Sequence, residues 1–290
     1  MDFQGRTTVV TGAANGIGAA LSRRFHAAGA NVVLADRDAA PLERVTQELN
    51  DIRLGSAIGV VADIGTESGN IALINAARAK FGFIDLFYAN AGIGGGTDLE
   101  STDEAMWEAT FNINLNAHRW AAKHLLGEWL AEGRGYFCST ASAAGLLSQI
   151  GSAPYSVTKH GAVAFAEWLS ITYGDRGLRV SCLCPQGVNT NLLNPPTTDS
   201  AGAIAPNASS AIAPNASSAI APNGGDVVKF AGVVLEPSDV AEVVYRAIVD
   251  ERFLILPHPE VAIYEQRKAA DRDRWLAGMR KLQARVFGTL

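Results

Sequence analysis

Short, nearly continuous apolar runs alternate along the chain with longer stretches in which apolar residues recur every three or four positions. The runs at residues 7–11, 31–35, 57–62, 84–89, 135–139 and 178–184 read as strands. They lack the in-out alternation of a half-exposed strand, as expected where helices cover both faces of a parallel sheet. Between them, residues 16–28, 41–50 and 67–81 read as helices. Residues 153–173 form a long helical run, and Pro237, Ser238 and Asp239 open another. A last strand is expected at 253–256. This repetition predicts an α/β, doubly wound parallel sheet of Rossmann type with right-handed crossovers. Residues 261–286 carry Trp275, Leu276, Met279 and Leu282 as an apolar stripe, which fits docking on the same chain or on a partner subunit. The expected organisation is a single α/β domain over 1–258, with a long loop at 191–236, and a helical C-terminal extension over 259–290.

One stretch breaks the pattern. Ala-Ile-Ala-Pro-Asn-Ala-Ser-Ser occupies 203–210, recurs at 211–218 and restarts at 219–223. Eight residues are too few for a solenoid unit, and the Pro, Asn and Ser content suits an irregular inserted loop or a lid over a site. Asn207 and Asn215 match the glycosylation acceptor pattern, but no signal-peptide pattern opens the chain, so neither is expected to carry a glycan.

Composition narrows the function class. With 290 residues, 48% hydrophobic and 18% charged, the chain can bury a large core. A net charge of −5 with no basic stripe argues against nucleic acid. No apolar run reaches the roughly 18 residues that span a bilayer, so no membrane association is expected. Cys138, Cys182 and Cys184 fall in strand-like runs and read as buried free thiols, with no metal site and a reducing cytoplasm as the expected setting.

The first strand runs into Thr11-Gly12-Ala13-Ala14-Asn15-Gly16-Ile17-Gly18 and then a helix. Glycines there allow a tight turn and a close approach of backbone to a pyrophosphate, whose charge the helix N-terminus stabilises. Asp36 ends the second strand, 18 residues beyond Gly18. A carboxylate there accepts from ribose hydroxyls and repels a 2′-phosphate, favouring NAD over NADP. Arg37 beside it points the other way, since a guanidinium pairs well with that phosphate. A helix-capping role for Asp36 is the bland alternative.

Tyr155 and Lys159 stand four residues apart on one helix, which puts phenol and ammonium on the same face. Bringing a phenol from about 10 to near 7 takes roughly 4 kcal/mol. One positive charge at about 4 Å supplies that much at an effective dielectric near 20. Lys159 is therefore expected to activate Tyr155. A Tyr-x-x-x-Lys pair alone is often a coincidence of helix composition.

Taken with its neighbours, the pair makes the chain resemble the short-chain dehydrogenase/reductase family, closely over about residues 2–190. The glycine loop from Thr11 to Gly18 is similar to the family's cofactor loop. Asp63, with Ile64, matches the position that holds the adenine, and Asn90-Ala91-Gly92 matches the family's Asn-Ala-Gly element. Asn114 matches the asparagine of the proton relay. Ser142, 13 residues before Tyr155, matches the serine that hydrogen-bonds the reacting oxygen, with Ser139 as a competitor by proximity alone. Pro185-Gln186-Gly187-Val188-Asn189-Thr190 is similar to the family's Pro-Gly-x-Val-x-Thr stretch, with Gln186 where glycine is usual.

The resemblance implies hydride transfer between NAD and a carbon bearing oxygen. Tyr155 would act as acid/base, Ser142 would polarise the carbonyl, Lys159 would hold the nicotinamide ribose, and Asn114 would position a water. The implied pocket draws on Ile93 to Gly96, Leu146 to Ile150 including Gln149, Gln186, Leu192 and Leu193. From Gln186 to Pro237 there is no arginine and Lys229 is the only cation. The expected substrate is thus an uncharged, bulky secondary alcohol or ketone. Rival readings are an NADP-dependent carbonyl or acyl-carrier ketone reductase, a non-catalytic NAD-binding regulator, and a lyase or epimerase on the same scaffold. The family's usual state, a homodimer or homotetramer, is expected.

Overall fold

In the computed structural model, residues 1–194 and 232–287 are described; the octapeptide repeat and most of the 191–236 loop lie outside them. Seven parallel strands form one sheet: β1 (Thr7–Thr11), β2 (Asn31–Asp36), β3 (Ala57–Val61), β4 (Leu86–Ala89), β5 (Gly135–Thr140), β6 (Leu178–Leu183) and β7 (Leu254–Ile255). Their order is β3-β2-β1-β4-β5-β6-β7, so the chain reverses direction across the sheet between β1 and β4. In such sheets ligands settle at the carboxyl ends of the strands, at that reversal.

Successive strand residues feed two cores. Val9, Phe87, Phe137 and Cys182 face α3 (Glu67–Phe81), α5 (Ala117–Ala131) and α7 (Ala153–Tyr173). Val10, Tyr88, Cys138 and Leu183 face α1 (Gly16–Ala27), α2 (Ala39–Ile52) and α8 (Pro237–Val249). The apolar runs are continuous because both alternating sets are buried. The edge is different. The third run was expected to be covered on both faces, but β3 pairs only with β2, and Val61 is 62% exposed.

Helix starts follow their side chains. Thr66 caps α3 by accepting from Gly69 N, and Asp103 caps α4 (Glu104–Phe111) by accepting from Met106 N. Between α4 and α5 the chain takes a π-helical turn, Asn112–Asn116. The short α6 (Ala144–Leu147) leads from β5 toward α7.

The tail expected as one helix is two, α9 (Glu260–Ala270) and α10 (Arg272–Phe287). Asp271 leaves helical geometry at φ −152° and its Oδ1 accepts from Arg274 N, so it ends one helix and caps the next. The extension docks on its own chain through Val261, which is fully buried, and Trp275, which lies against the same core as α7. No helix among the described residues is long and apolar enough to cross a membrane.

Candidate active site

The loop from β1 to α1 is shaped by close approach. A Cβ on Gly12 (φ +65°) would meet Ala91 Cα at 2.9 Å, and one on Gly18 would meet the Gly12 carbonyl oxygen at 2.1 Å. At Gly16 (φ +52°) a Cβ would meet Thr190 Cγ2 at 2.9 Å, which places Thr190 directly against the loop. Asn15 precedes α1 without capping it through its side chain, and the first turn, with Ile17, holds no acidic residue. The N-terminal amides of α1 could therefore receive an anion with no competing carboxylate in the first turn. These residues fit a dinucleotide pyrophosphate.

Thr11 ties this loop to the sheet. Its Oγ1 accepts from both Asn90 N and Ala91 N at 3.0 Å. Asn90 Nδ2 donates to the Thr11 carbonyl, and Asn90 Oδ1 accepts from Thr140 Oγ1, each at 3.0 Å. One asparagine thus joins β1, β4 and β5 at the reversal.

The N-cap of α2 is Asp38, so Asp36 is not a helix cap. Its Oδ2 accepts from Ala14 N at 3.0 Å, inside the glycine loop, and its Oδ1 accepts from Asp38 N at 3.1 Å. The carboxylate holds the loop and stays at the end of β2, where the second strand meets the expected ribose position. Arg37 beside it is exposed. Asp63 Oδ1 accepts from Gly65 N at 2.9 Å, with Ile64 buried next to it.

Two of the sequence-predicted groups, Asn114 and Lys159, meet beside Gly92, and Tyr155 and Ser142 follow from Lys159. A Cβ on Gly92 would lie 3.2 Å from Lys159 Nζ and 3.3 Å from Asn114 Oδ1. Asn114, fully buried in the π-helical turn, exchanges hydrogen bonds of 2.9 Å with both Ile93 N and the Ile93 carbonyl. Its Nδ2 also reaches Thr158 Oγ1 at 3.3 Å. Lys159 donates to the Thr140 carbonyl at 2.9 Å, and its Nζ stands 5.6 Å from the Tyr155 ring centre. Ser142 Oγ accepts from Ala144 N at 3.1 Å and interacts with the Tyr155 hydroxyl.

The electrostatics correct one expectation. Lys159 was expected to pull the Tyr155 phenol down; instead burial pushes it above 10, and the Ser142 hydroxyl offsets only part of that rise. Burial also lowers Lys159, to about 8. The sequence arithmetic counted one charge at close range and left out the loss of water around both groups. It also left out Thr140, whose carbonyl takes the ammonium.

The remaining predicted positions fall on the rim of this site. The Pro185 carbonyl accepts from Ala143 N at 2.8 Å, and the Gly187 carbonyl from Leu235 N at 3.0 Å. Val188 is buried and bridges to Leu235. Gly94 meets Leu192, whose Cδ1 would lie 3.4 Å from a Cβ there. Leu192 is 54% exposed, Leu193 half-buried, and Leu146 enters the core. Gln149 N donates to Ser156 Oγ at 2.7 Å. Gln186 N donates to His258 Nδ1 at 3.1 Å, while its Oε1 is buried beside Gly232. The thiols of Cys182 and Cys184 share a strand face, 3.9 Å apart, and all three cysteines are free and buried. Sequence reasoning named Thr11 only as the start of the glycine loop and missed the roles of Thr140 and Thr158; for Thr11 and Thr140 a threonine at the end of a strand was the available signal, and Thr158, inside α7, offered none.

The comparisons agree with this geometry. The short chain dehydrogenase family matches residues 6–201. A 1-deoxy-11-beta-hydroxypentalenate dehydrogenase of Streptomyces exfoliatus is 33% identical over 271 residues, covering 91% of this chain and 86% of that protein. A cis-4-hydroxycyclohexanecarboxylate dehydrogenase of Sinomonas cyclohexanicum is 35% identical over 192 residues, covering 66% of this chain and 76% of that protein. The crystal structure of a short-chain dehydrogenase/reductase from Burkholderia phymatum in complex with NAD superposes with a TM-score of 0.79 at 27% identity, covering 94% of this chain and 96% of that one. A cofactor loop at the sheet reversal, a Tyr-x-x-x-Lys helix over the end of β5, and a family match across most of the length have one explanation: the chain belongs to the short-chain dehydrogenase/reductase family.

Proposed function

We propose that this protein is an NAD-dependent dehydrogenase that interconverts an uncharged, bulky secondary alcohol and its ketone. The observation that carries the reading is the chain of contacts from Asn114 and Lys159, which meet at Gly92, through Lys159 to Tyr155 and from Tyr155 to Ser142. The nicotinamide cofactor, when bound, supplies the hydride acceptor or donor. Tyr155 takes the hydroxyl proton in oxidation and returns one in reduction. Ser142 donates to the reacting oxygen, and Lys159, anchored on Thr140, presents a positive charge to the phenol and the nicotinamide ribose. Asn114 holds the Ile93 backbone and with it the wall opposite Tyr155. Gly12, Asn15, Gly16, Ile17 and Gly18 would hold the pyrophosphate, Asp36 the ribose, and Asp63 and Ile64 the adenine. Asn90, Ala91, Gly92, Pro185, Gly187, Val188 and Thr190 would line the nicotinamide side.

NAD is favoured because the Asp36 carboxylate would face a 2′-phosphate, and the neighbouring fold in Burkholderia phymatum carries NAD. The expected pocket segments 93–96, 146–150, 186 and 192–193 contain no cationic side chain, which favours an uncharged substrate. A second reading, an alicyclic alcohol bearing a carboxylate, is favoured by the names of the two relatives above. Turnover of cyclohexanol-type alcohols with and without a ring carboxylate, followed by absorbance of the reduced nicotinamide with NAD and with NADP, separates these readings. No turnover of any secondary alcohol with either cofactor overturns the dehydrogenase reading. We also place the protein in the cytoplasm as a homo-oligomer, with Trp168 (52% exposed) and Ile171 (84%) on α7 as the contact face.

A further inference from the structure

Lys268 belongs to α9, in the extension that follows the sheet, yet it is only 9% exposed and sits between two helices of the site. Its ammonium donates to the Leu146 carbonyl in α6 and reaches His160 Nε2 in α7 at 3.4 Å. His160 Nδ1 lies 2.8 Å from the Ser156 carbonyl one turn earlier. A carbonyl can only accept, so Nδ1 carries the ring proton and Nε2 is left to accept from Lys268. The two helices bridged in this way follow Ser142 and carry Tyr155.

Between them the backbone is strained. Ser148 adopts φ 76° and ψ 144°, a region that side chains of ordinary chirality rarely enter. Such a conformation persists only where its flanks are held. On one flank Ser156 Oγ accepts from Gln149 N at 2.7 Å and donates to the Gln149 carbonyl at 3.1 Å. On the other flank Leu146 N and Leu147 N donate to the Ala143 carbonyl and Ser148 N to the Ala144 carbonyl, and Lys268 adds the hold on Leu146 that comes from the C-terminal extension. The strained stretch, 146–150, is the wall assigned to the substrate above.

We propose that Lys268 is a positioning residue, which holds the 146–150 wall against the strain at Ser148 and so makes the C-terminal extension a determinant of which alcohols fit. This rests on the dehydrogenase reading. Lys268 touches neither the reacting atoms nor the glycine loop. Its removal therefore acts on substrate fit and leaves dinucleotide binding alone.

The test is Lys268→Met, which keeps the aliphatic stem and deletes the donors. The expected result is a rise in KM for a secondary alcohol of about tenfold, as for loss of a charged hydrogen bond. The kcat and the Kd for NAD should stay within about threefold. Ser148→Gly in the same background should recover most of that KM, since glycine holds a positive φ without strain. An unchanged KM in Lys268→Met, or no recovery in the double variant, overturns the proposal. Amide exchange over 144–152 supplies a readout independent of turnover: it should quicken in Lys268→Met and stay slow in Lys268→Arg, which retains donors. Exchange unchanged in Lys268→Met overturns the positioning role. Quickened exchange in a protein whose wild type turns over no alcohol overturns only the dehydrogenase reading.

Discussion

Lys159 Nζ donates to the Thr140 carbonyl at 2.9 Å, and the Tyr155 ring centre stands 5.6 Å from the same nitrogen. The ammonium is thus anchored on β5 and approaches the phenol from the side. Burial outweighs it, and in the cofactor-free protein Tyr155 titrates above 10. Absorbance titration should accordingly show the wild-type phenolate signal, relative to Tyr155→Phe, with a midpoint above that of an ordinary tyrosine. Tyr155→Phe should also lose turnover by about a hundredfold or more, the usual scale for acid/base catalysis, with NAD affinity within a few fold. A Tyr155 signal near pH 7 in the free protein would mean that the lysine alone activates it.

Lys159 itself is held at a cost. The residue is 2% exposed, and burial lowers its ammonium to about 8, against an ordinary 10.5. Between pH 8 and 10.5 the unfolded chain keeps a proton that the folded protein releases, so stability rises with pH across that window. Below pH 8 the lysine is charged in both states and the folded protein bears the full difference, roughly 3 kcal/mol. Lys159→Met removes that cost but leaves the Thr140 carbonyl without its donor, about 1–3 kcal/mol. Thermal unfolding at pH 7 should therefore show an equal or higher Tm in the variant, together with loss of turnover. A clearly lower Tm would show that the lysine stabilises the fold.

His118 gives a slope of the same sign, but at acid pH. It is 1% exposed on α5, edge-on to Phe137 with ring centres 6.4 Å apart, and neither ring nitrogen has a partner. Burial, assisted by the charge of Lys159, drops its pKa to about 3. Above 6.5 it is neutral whether folded or unfolded. As pH falls from 6.5 toward 3 the unfolded chain takes up a proton that the folded protein refuses, and stability declines by up to about 1.4 kcal/mol per unit. His118→Leu should flatten this slope and move the acid midpoint, followed by circular dichroism, to lower pH. An unmoved midpoint would place the acid trigger elsewhere.

The strands were legible because burial on both faces leaves continuous apolar runs, and the one misjudged run, β3, lies at an edge that sequence alone does not reveal. The tail was read as one helix because its apolar spacing continues past Asp271, although a capping aspartate there splits it. In the site, the motif residues stand in recognisable spacing at strand ends and helix starts. Their partners do not. Thr140 meets Lys159 through the placement of α7 over β5, and Lys268 meets Leu146 across 122 residues of chain. The phenol's titration was misjudged for a related reason: desolvation depends on the fold around a residue, whereas charge spacing along one helix can be counted.

On the proposed reading Asp36 sets the cofactor preference as well as bracing the glycine loop, and two substitutions separate these roles. Its Oδ2 accepts from Ala14 N at 3.0 Å and its Oδ1 from Asp38 N at 3.1 Å. Asp36→Asn removes the charge but keeps one acceptor for Ala14 N. The repulsion of a 2′-phosphate should then disappear while the loop stays braced, and exposed Arg37, next in sequence, is available to pair with that phosphate. The ratio of NADP to NAD affinity should rise about tenfold, or roughly 1.4 kcal/mol. Asp36→Ala removes both roles: the ratio should rise as before, and affinity for both cofactors should fall because Ala14 N loses its acceptor. Adding Arg37→Ala to Asp36→Asn should reverse most of the gain for NADP. Calorimetric titration of each variant with both dinucleotides measures these ratios, and a ratio unchanged in Asp36→Asn would assign the carboxylate to loop structure alone.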